Sequence, residues 1–148
     1  MGFNNFHQDL AQSEVGVTTL VNHLRAKGAT EVELCNTKAY DVAYRNSLNQ
    51  TVTIEVKEDF LWQRTGNVAV EYMQRGKPTG ISSSTADYYV YKLANAFYSI
   101  KRESLQAKLR ESLDAQETRK KTTWDGSKEI KLLLVPATVF TGWCRQII

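Results

Sequence analysis

The chain has 148 residues, of which 42% are apolar and 24% charged. That length suits one domain able to bury about 70% of its unfolded surface, and the composition excludes a disordered, collagen-like or coiled-coil chain. Nineteen Lys and Arg against sixteen Asp and Glu leave a formal charge of +3, a mildly basic balance that permits a nucleic-acid partner without requiring one.

The segment Met1 to Leu10 is polar and carries Asp9, with neither a basic leader region nor an apolar one, so no secretory signal is expected. Phe6 stands where a myristoylation signal needs Ser or Thr. No apolar run approaches the ~20 residues of a membrane helix. Cys35 and Cys144 form no CxxC pair, which removes zinc-ribbon and disulfide-scaffold classes. A soluble, cytoplasmic protein of a reducing compartment is expected, with no membrane partner.

Phe6, Leu10, Val17, Leu20, Val21 and Leu24 recur at spacings of three and four, which predicts a helix over Phe6 to Lys27 stopped by Gly28. Gly16 inside it costs roughly 1 kcal/mol against Ala. Glu14 sits at the edge of the apolar stripe. Three strands follow, Glu31 to Asn36, Tyr40 to Asn46 and Thr51 to Lys57, with a turn at residues 47–50. In the third, Val52, Ile54 and Val56 face one side and Thr53, Glu55 and Lys57 the other. The three strands are expected to form an antiparallel meander, and Glu58 and Asp59 read as its exposed end.

Asn67 to Met73 reads as a further strand, and Gly76, Pro78 and Gly80 mark a loop. Ser82 to Thr85 followed by Asp87 resembles a helix cap, which predicts a helix over Thr85 to Leu93 with Tyr88 and Tyr91 packing inward and Tyr89 pointing elsewhere. A strand is predicted at Ala96 to Ile100 and a helix at Ser104 to Glu117, where Leu105, Leu109 and Leu113 fall at fourfold spacing. Arg119 to Thr123 is a basic surface stretch. Ile130 to Val135 suits a strand buried on both faces, with Pro136 opening a last helix. No repeat or linker divides the chain, so a single mixed α/β domain over residues 1–148 is expected.

Glu14, Asp41, Glu55 and Lys57 carry the chemistry. Period two places Glu55 and Lys57 on one face of a strand. Fourteen residues separate Asp41 from Glu55, a hairpin length that brings the two carboxylates side by side, and the first helix aims Glu14 at the same sheet. Clustered carboxylates repel one another unless a cation joins them, and oxygen-only ligands suit Mg²⁺ or Mn²⁺. Such a cation stabilises charge on a phosphate, and a nearby lysine orients or deprotonates water, an arrangement suited to phosphodiester cleavage.

Asp41…Glu55-Val56-Lys57, behind a helix bearing Glu14 and ahead of a helix that packs back on the sheet, resembles the PD-(D/E)XK, or restriction endonuclease-like, nuclease superfamily, including its resolvase-like and phage-type small nucleases. The resemblance implies an α-β-β-β-α-β core with a mixed central sheet flanked by helices, covering about residues 6–101, with a C-terminal strand and helix extension over 102–148. It implies metal binding by Asp41, Glu55 and the Val56 carbonyl, Glu14 as an auxiliary ligand, and Lys57 as the catalytic lysine. Tyr40 stands where the motif carries Pro. A Mg²⁺-dependent DNA endonuclease is expected, structure-selective like a Holliday-junction resolvase and acting as a homodimer. The alternatives are a non-catalytic DNA-binding or assembly module on the same fold, an exonuclease, or an RNA-directed nuclease.

Blander readings stand beside these. Glu55 and Lys57 also suit a solvated cross-strand ion pair, and Glu14 an ordinary helix-edge acid. Glu71 is a secondary ligand candidate that also suits a structural role. Arg75 and Lys77 lie in a Gly/Pro loop able to approach phosphate, and Ser83 can donate to it. Trp62 suits a DNA wedge or a dimer contact equally. His7 and His23 lack ligand spacing. Between Lys101 and Lys131 nine Lys and Arg face six acids, an excess equal to the whole formal charge, and Arg119, Lys120 and Lys121 are its densest run and the expected DNA contacts.

Overall fold

A computed structural model of the chain describes residues 16–35, 39–60, 62–115 and 119–148. Among these, four helices and ten strands build two sheets. Helix α1 runs over residues 16–26. Its C-terminus closes with a paired cap: Gly28, at φ +98°, donates to Arg25 O at 3.1 Å, and Ala29 donates to Leu24 O at 3.0 Å. That pattern satisfies carbonyls the helix leaves open and needs the left-handed conformation glycine adopts without strain. The predicted stretch before residue 16, Glu14 and His7 included, lies outside the described residues.

Strands β1 (Thr30–Leu34), β2 (Val42–Arg45) and β3 (Thr51–Glu58) form the expected antiparallel meander. Asn46 shapes the β2–β3 turn, its Oδ1 accepting the N–H groups of Leu48 at 3.0 Å and Gln50 at 2.9 Å, with Asn49 left-handed at φ +59°. After β3 come a single turn, α2 (Trp62–Thr65), then β4 (Asn67–Gln74), a tight hairpin to β5 (Lys77–Pro78), and a 3₁₀ turn at Gly80–Ser82.

The helix predicted over Thr85 to Leu93 is instead a strand, β6 (Tyr88–Leu93), parallel to β3. The aromatic and β-branched run Tyr88-Tyr89-Val90-Tyr91 favours a pleated strand, and the Ser/Thr run ahead of it has no helix to cap. Period two then puts Tyr89 and Tyr91 together on one face, both buried with ring centroids 6.3 Å apart, and Tyr88 on the other. The expected inward pair of Tyr88 and Tyr91 is therefore overturned. Strand β7 (Ala96–Lys101) and helix α3 (Arg102–Asp114) follow as expected, and the basic stretch is an exposed edge strand, β8 (Arg119–Asp125). Strand β9 (Lys128–Pro136) buries Leu133 and Val135 while Ile130, Leu132 and Leu134 stay half-exposed, so it is covered on one face rather than two. Helix α4 (Ala137–Trp143) starts after Pro136, and a short strand, β10 (Arg145–Gln146), ends the chain.

The central sheet is mixed, in the order β1-β2-β3-β6-β7-β10; the second is antiparallel, β5-β4-β9-β8. The fold is thus α/β with a mixed central sheet and helices. On one face of that sheet, Leu20 of α1 packs with Val42, Ile54, Val90 and Phe97. On the other, Tyr89, Tyr91 and Ile100 meet Val68, Val70, Leu133 and Val135 of the second sheet, together with Leu105 and Leu109 of α3 and Phe140 of α4. Trp62, half-buried, also packs there, a core role neither sequence reading gave it. Among the described residues no helix is long and apolar enough to cross a membrane.

Gly16 has a packing role. A Cβ there would stand 2.6 Å from Glu58 Oε1 and 2.9 Å from Lys92 Cδ. Glu58 and Lys92 pair across β3 and β6 at 3.4 Å with side chains only 7% and 16% exposed, so Glu58 belongs to a buried pair under α1 and not to an exposed strand end. Gly16→Ala gains about 1 kcal/mol of helix propensity but overpacks this contact, at about 1–3 kcal/mol. A net loss on the order of 1 kcal/mol is expected in urea unfolding, where propensity alone predicts a gain.

Candidate active site

Strand β3 has two chemically different faces. Ile54 is buried under α1. Glu55 and Lys57 project to the opposite face, in parallel register with Tyr89 and Tyr91. Glu55 Oε1 and Lys57 Nζ lie 3.2 Å apart, with side chains 18% and 44% exposed. The carboxylate is the more enclosed partner and the ammonium reaches toward solvent.

Asp41 sits at the bend entering β2. Its N–H donates to Ile54 O at 2.9 Å and its carbonyl accepts the Cys35 N–H at 2.8 Å. Its Oδ2 accepts the Val56 N–H at 2.8 Å. The regular ladder between β2 and β3 runs from Val42↔Ile54 to Arg45↔Thr51, so this side chain caps the N–H next beyond it and seats its charge beside Glu55.

Burial holds the Glu55 carboxyl above its ordinary range. Lys57 pulls it back down, by charge and by hydrogen bond, and the Asp41 charge pushes it up. Glu55 is thus a half-desolvated carboxylate with a like charge close by, a combination a cation relieves.

Glu71 of β4 reaches the same place. A cavity of about 210 Å³ is lined by Glu55, Lys57, Glu71 and Tyr89 on one side and by Ala39, Gly80 and Ser83 to Thr85 on the other. A β-bulge at Tyr72, between the pairs Glu71↔Leu132 and Met73↔Lys131, separates Glu71 from the hairpin that follows. Gly80, at φ +54°, lets the 3₁₀ turn press on β4: a Cβ there would stand 2.3 Å from Glu71 O. Ser84 Oγ accepts the Ala86 N–H at 3.2 Å. Burial raises the Tyr89 hydroxyl, while a hydrogen bond with Ser84 lowers it.

The structure therefore brings Asp41, Glu55, Val56 and Lys57 together and adds Glu71, Ser83, Ser84, Thr85 and Tyr89. Tyr89 was missed because residues 85–93 were read as helix; the strand-forming aromatic run was the available signal. Arg75 and Lys77 stand on the exposed β4–β5 hairpin, outside the cavity lining, with Arg75 left-handed at φ +53°. Arg119, Lys120 and Lys121 lie on the β8 edge, also outside it. Asp87 is structural: its Oδ2 accepts the Thr53 N–H at 2.9 Å and ties β6 to β3. Burial pushes the Cys144 thiol up to about 12, which keeps it protonated at neutral pH and unsuited to attack.

No family model, no curated protein and no solved structure matches this chain.

Among the described residues no group of three or more His, Cys, Asp or Glu side chains gathers as a metal site, and Glu14 lies outside them. The acids that lie near one another are Asp41 and Glu55, close enough for the Asp41 charge to act on Glu55, and both offer oxygen only. That set, with a desolvated carboxylate in it, fits Mg²⁺ or Mn²⁺ and not Zn²⁺.

The raised Glu55 pKa has a defined sign in folding. Between the ordinary and the raised value the folded state holds a proton that the unfolded state has released, so stability falls as pH rises through that window. Above it, ionised Glu55 is a standing cost. With chelator present, Glu55→Gln is expected to raise the melting temperature at neutral pH, and to raise it less below the ordinary carboxylate pKa. Thermal melts of both proteins across pH check this.

Proposed function

We propose that this chain is a Mg²⁺-dependent nuclease of the PD-(D/E)XK kind that hydrolyses phosphodiester bonds in DNA. The observation that carries the reading is Asp41 seated on the Val56 N–H beside the half-buried Glu55–Lys57 pair. An antiparallel β1-β2-β3 meander, with β6 parallel to β3, agrees with the resemblance. The α-β-β-β-α-β order is departed from after β3: the helix expected over Thr85 to Leu93 is strand β6, and the connection from β3 to β6 runs through the single turn of α2, β4, β5 and the 3₁₀ turn.

Asp41 and Glu55 would hold the cation with the Val56 carbonyl, and Glu71, which lines the same cavity, would hold water or metal. Glu14 would add a ligand from the first helix. Bound there, Mg²⁺ supplies positive charge to the phosphate and lowers the pKa of a water. Lys57 Nζ, hydrogen-bonded to Glu55 and otherwise facing solvent, orients the attacking water and balances charge on the phosphate. Ser83 and Thr85 at the rim offer hydroxyls to the phosphate, and the Tyr89 ring closes the floor against bulk water.

A chain of this size with one such site cuts one strand per copy, so a homodimer and structure-selective cleavage of branched DNA complete the proposal. The purified chain with Mg²⁺ or Mn²⁺ is expected to cleave at least one of linear, nicked and branched DNA. Lys57→Ala is expected to lower the rate about 100-fold or more, and chelation to abolish it. Binding of DNA that ignores divalent cations, with no cleavage, would assign the chain instead as a DNA-binding or assembly module, and cleavage of RNA alone as an RNA-directed nuclease.

A further inference from the structure

The pairing of the second sheet carries the site outward. Glu71 stands directly opposite Leu132 on β9, and Leu132 directly opposite Lys121 on β8. Residues so opposed share a face, so Glu71, Leu132 and Lys121 make one cross-strand row. Ala69, Leu134 and Arg119 make the next. On the other side, beyond the bulge, Lys77, Gln74 and Ile130 are paired in series. Period two along β9 puts Ile130, Leu132 and Leu134 on one face, away from the buried Leu133 and Val135. Lys120 pairs with Leu133 and so belongs to the core side of β8.

This outer face carries Lys77, Arg119, Lys121 and Lys128 around Glu71 and Asp125, and none of its described residues is buried. At a strand spacing of 4.7–4.9 Å, the Lys121 backbone lies about 10 Å from that of Glu71. That offset corresponds to about three phosphates along one strand of a duplex. A second copy docked face to face would set these cations against themselves, whereas a polyanion meets them with complementary charge.

Resting on the nuclease reading above, we propose that this outer face of the second sheet, which meets the cavity at Glu71, seats the phosphate backbone of the duplex DNA that is cleaved. Lys121 and Arg119 hold the backbone on one edge and Lys77 on the other, and Lys120, on the same strand but the opposite face, takes no part.

The test is the salt dependence of binding, read by fluorescence anisotropy of a labelled duplex with Ca²⁺ in place of Mg²⁺. Each phosphate contact contributes about 0.9 to the slope of log affinity against log salt. The paired Arg119→Gln and Lys121→Gln variant is expected to lower that slope by about 2, and Lys77→Gln, independently, by about 1. Lys120→Gln is expected to leave it unchanged, with all variants checked for parental melting behaviour. A parent that cuts DNA while the paired variant keeps the parental slope overturns the seat and leaves the nuclease standing. A Lys120→Gln effect as large as that of Lys121→Gln overturns it as well. An altered sedimentation mass at unchanged slope would make the face a contact between copies, and a parent that neither binds nor cuts DNA overturns both proposals.

Discussion

One hydrogen bond organises the site: Asp41 Oδ2 on the Val56 N–H at 2.8 Å. The ladder between β2 and β3 stops at Val42↔Ile54, and without this carboxylate the next N–H of β3 would face a half-buried setting unpaired, at a cost of about 1–3 kcal/mol. A charge recruited for that local need is fixed beside Glu55. The position of Asp41 thus follows from backbone satisfaction, and its charge adds to the burial that already raises the Glu55 carboxyl.

Strand β3 divides two jobs by parity. Its even residues, Ile54, Val56 and Glu58, face α1, where a buried Glu58–Lys92 pair and the missing Cβ of Gly16 set the approach of the helix. Its odd residues, Glu55 and Lys57, face the cavity. A one-residue slip of β3 would exchange the two sets. Register is held by the meander on one edge and by Asp87 clamping Thr53 on the other. The second sheet then delivers Glu71 to the same cavity, through a bulge and a glycine that lets the 3₁₀ turn touch the β4 backbone.

Local pattern made some of this legible in the sequence and hid the rest. The alternation in Thr51 to Lys57 was enough to place Glu55 and Lys57 on one face, and the hairpin length was enough to bring Asp41 to them. Residues 85–93 misled because a Ser/Thr run with a following acid imitates a helix cap, while Tyr88–Leu93 is a strand paired with β7 across a tight turn and with β3 more than thirty residues away. Gly16 read as a cost because its partners, Glu58 and Lys92, are distant in sequence. Glu58 read as exposed for the same reason. Ile130 to Val135 read as buried on both faces from apolarity alone; only the pairing with β4 and β8 shows which leucines stay half-exposed and which lysines share their side.

The central claim is that Asp41 and Glu55 are the two halves of one cation site. Anomalous scattering from a crystal of the protein soaked in Mn²⁺ tests it without relying on activity. The account predicts a peak within about 2.0–2.3 Å of carboxylate oxygens of both residues. A well-ordered crystal with no peak there, or with Mn²⁺ bound only elsewhere, would contradict it.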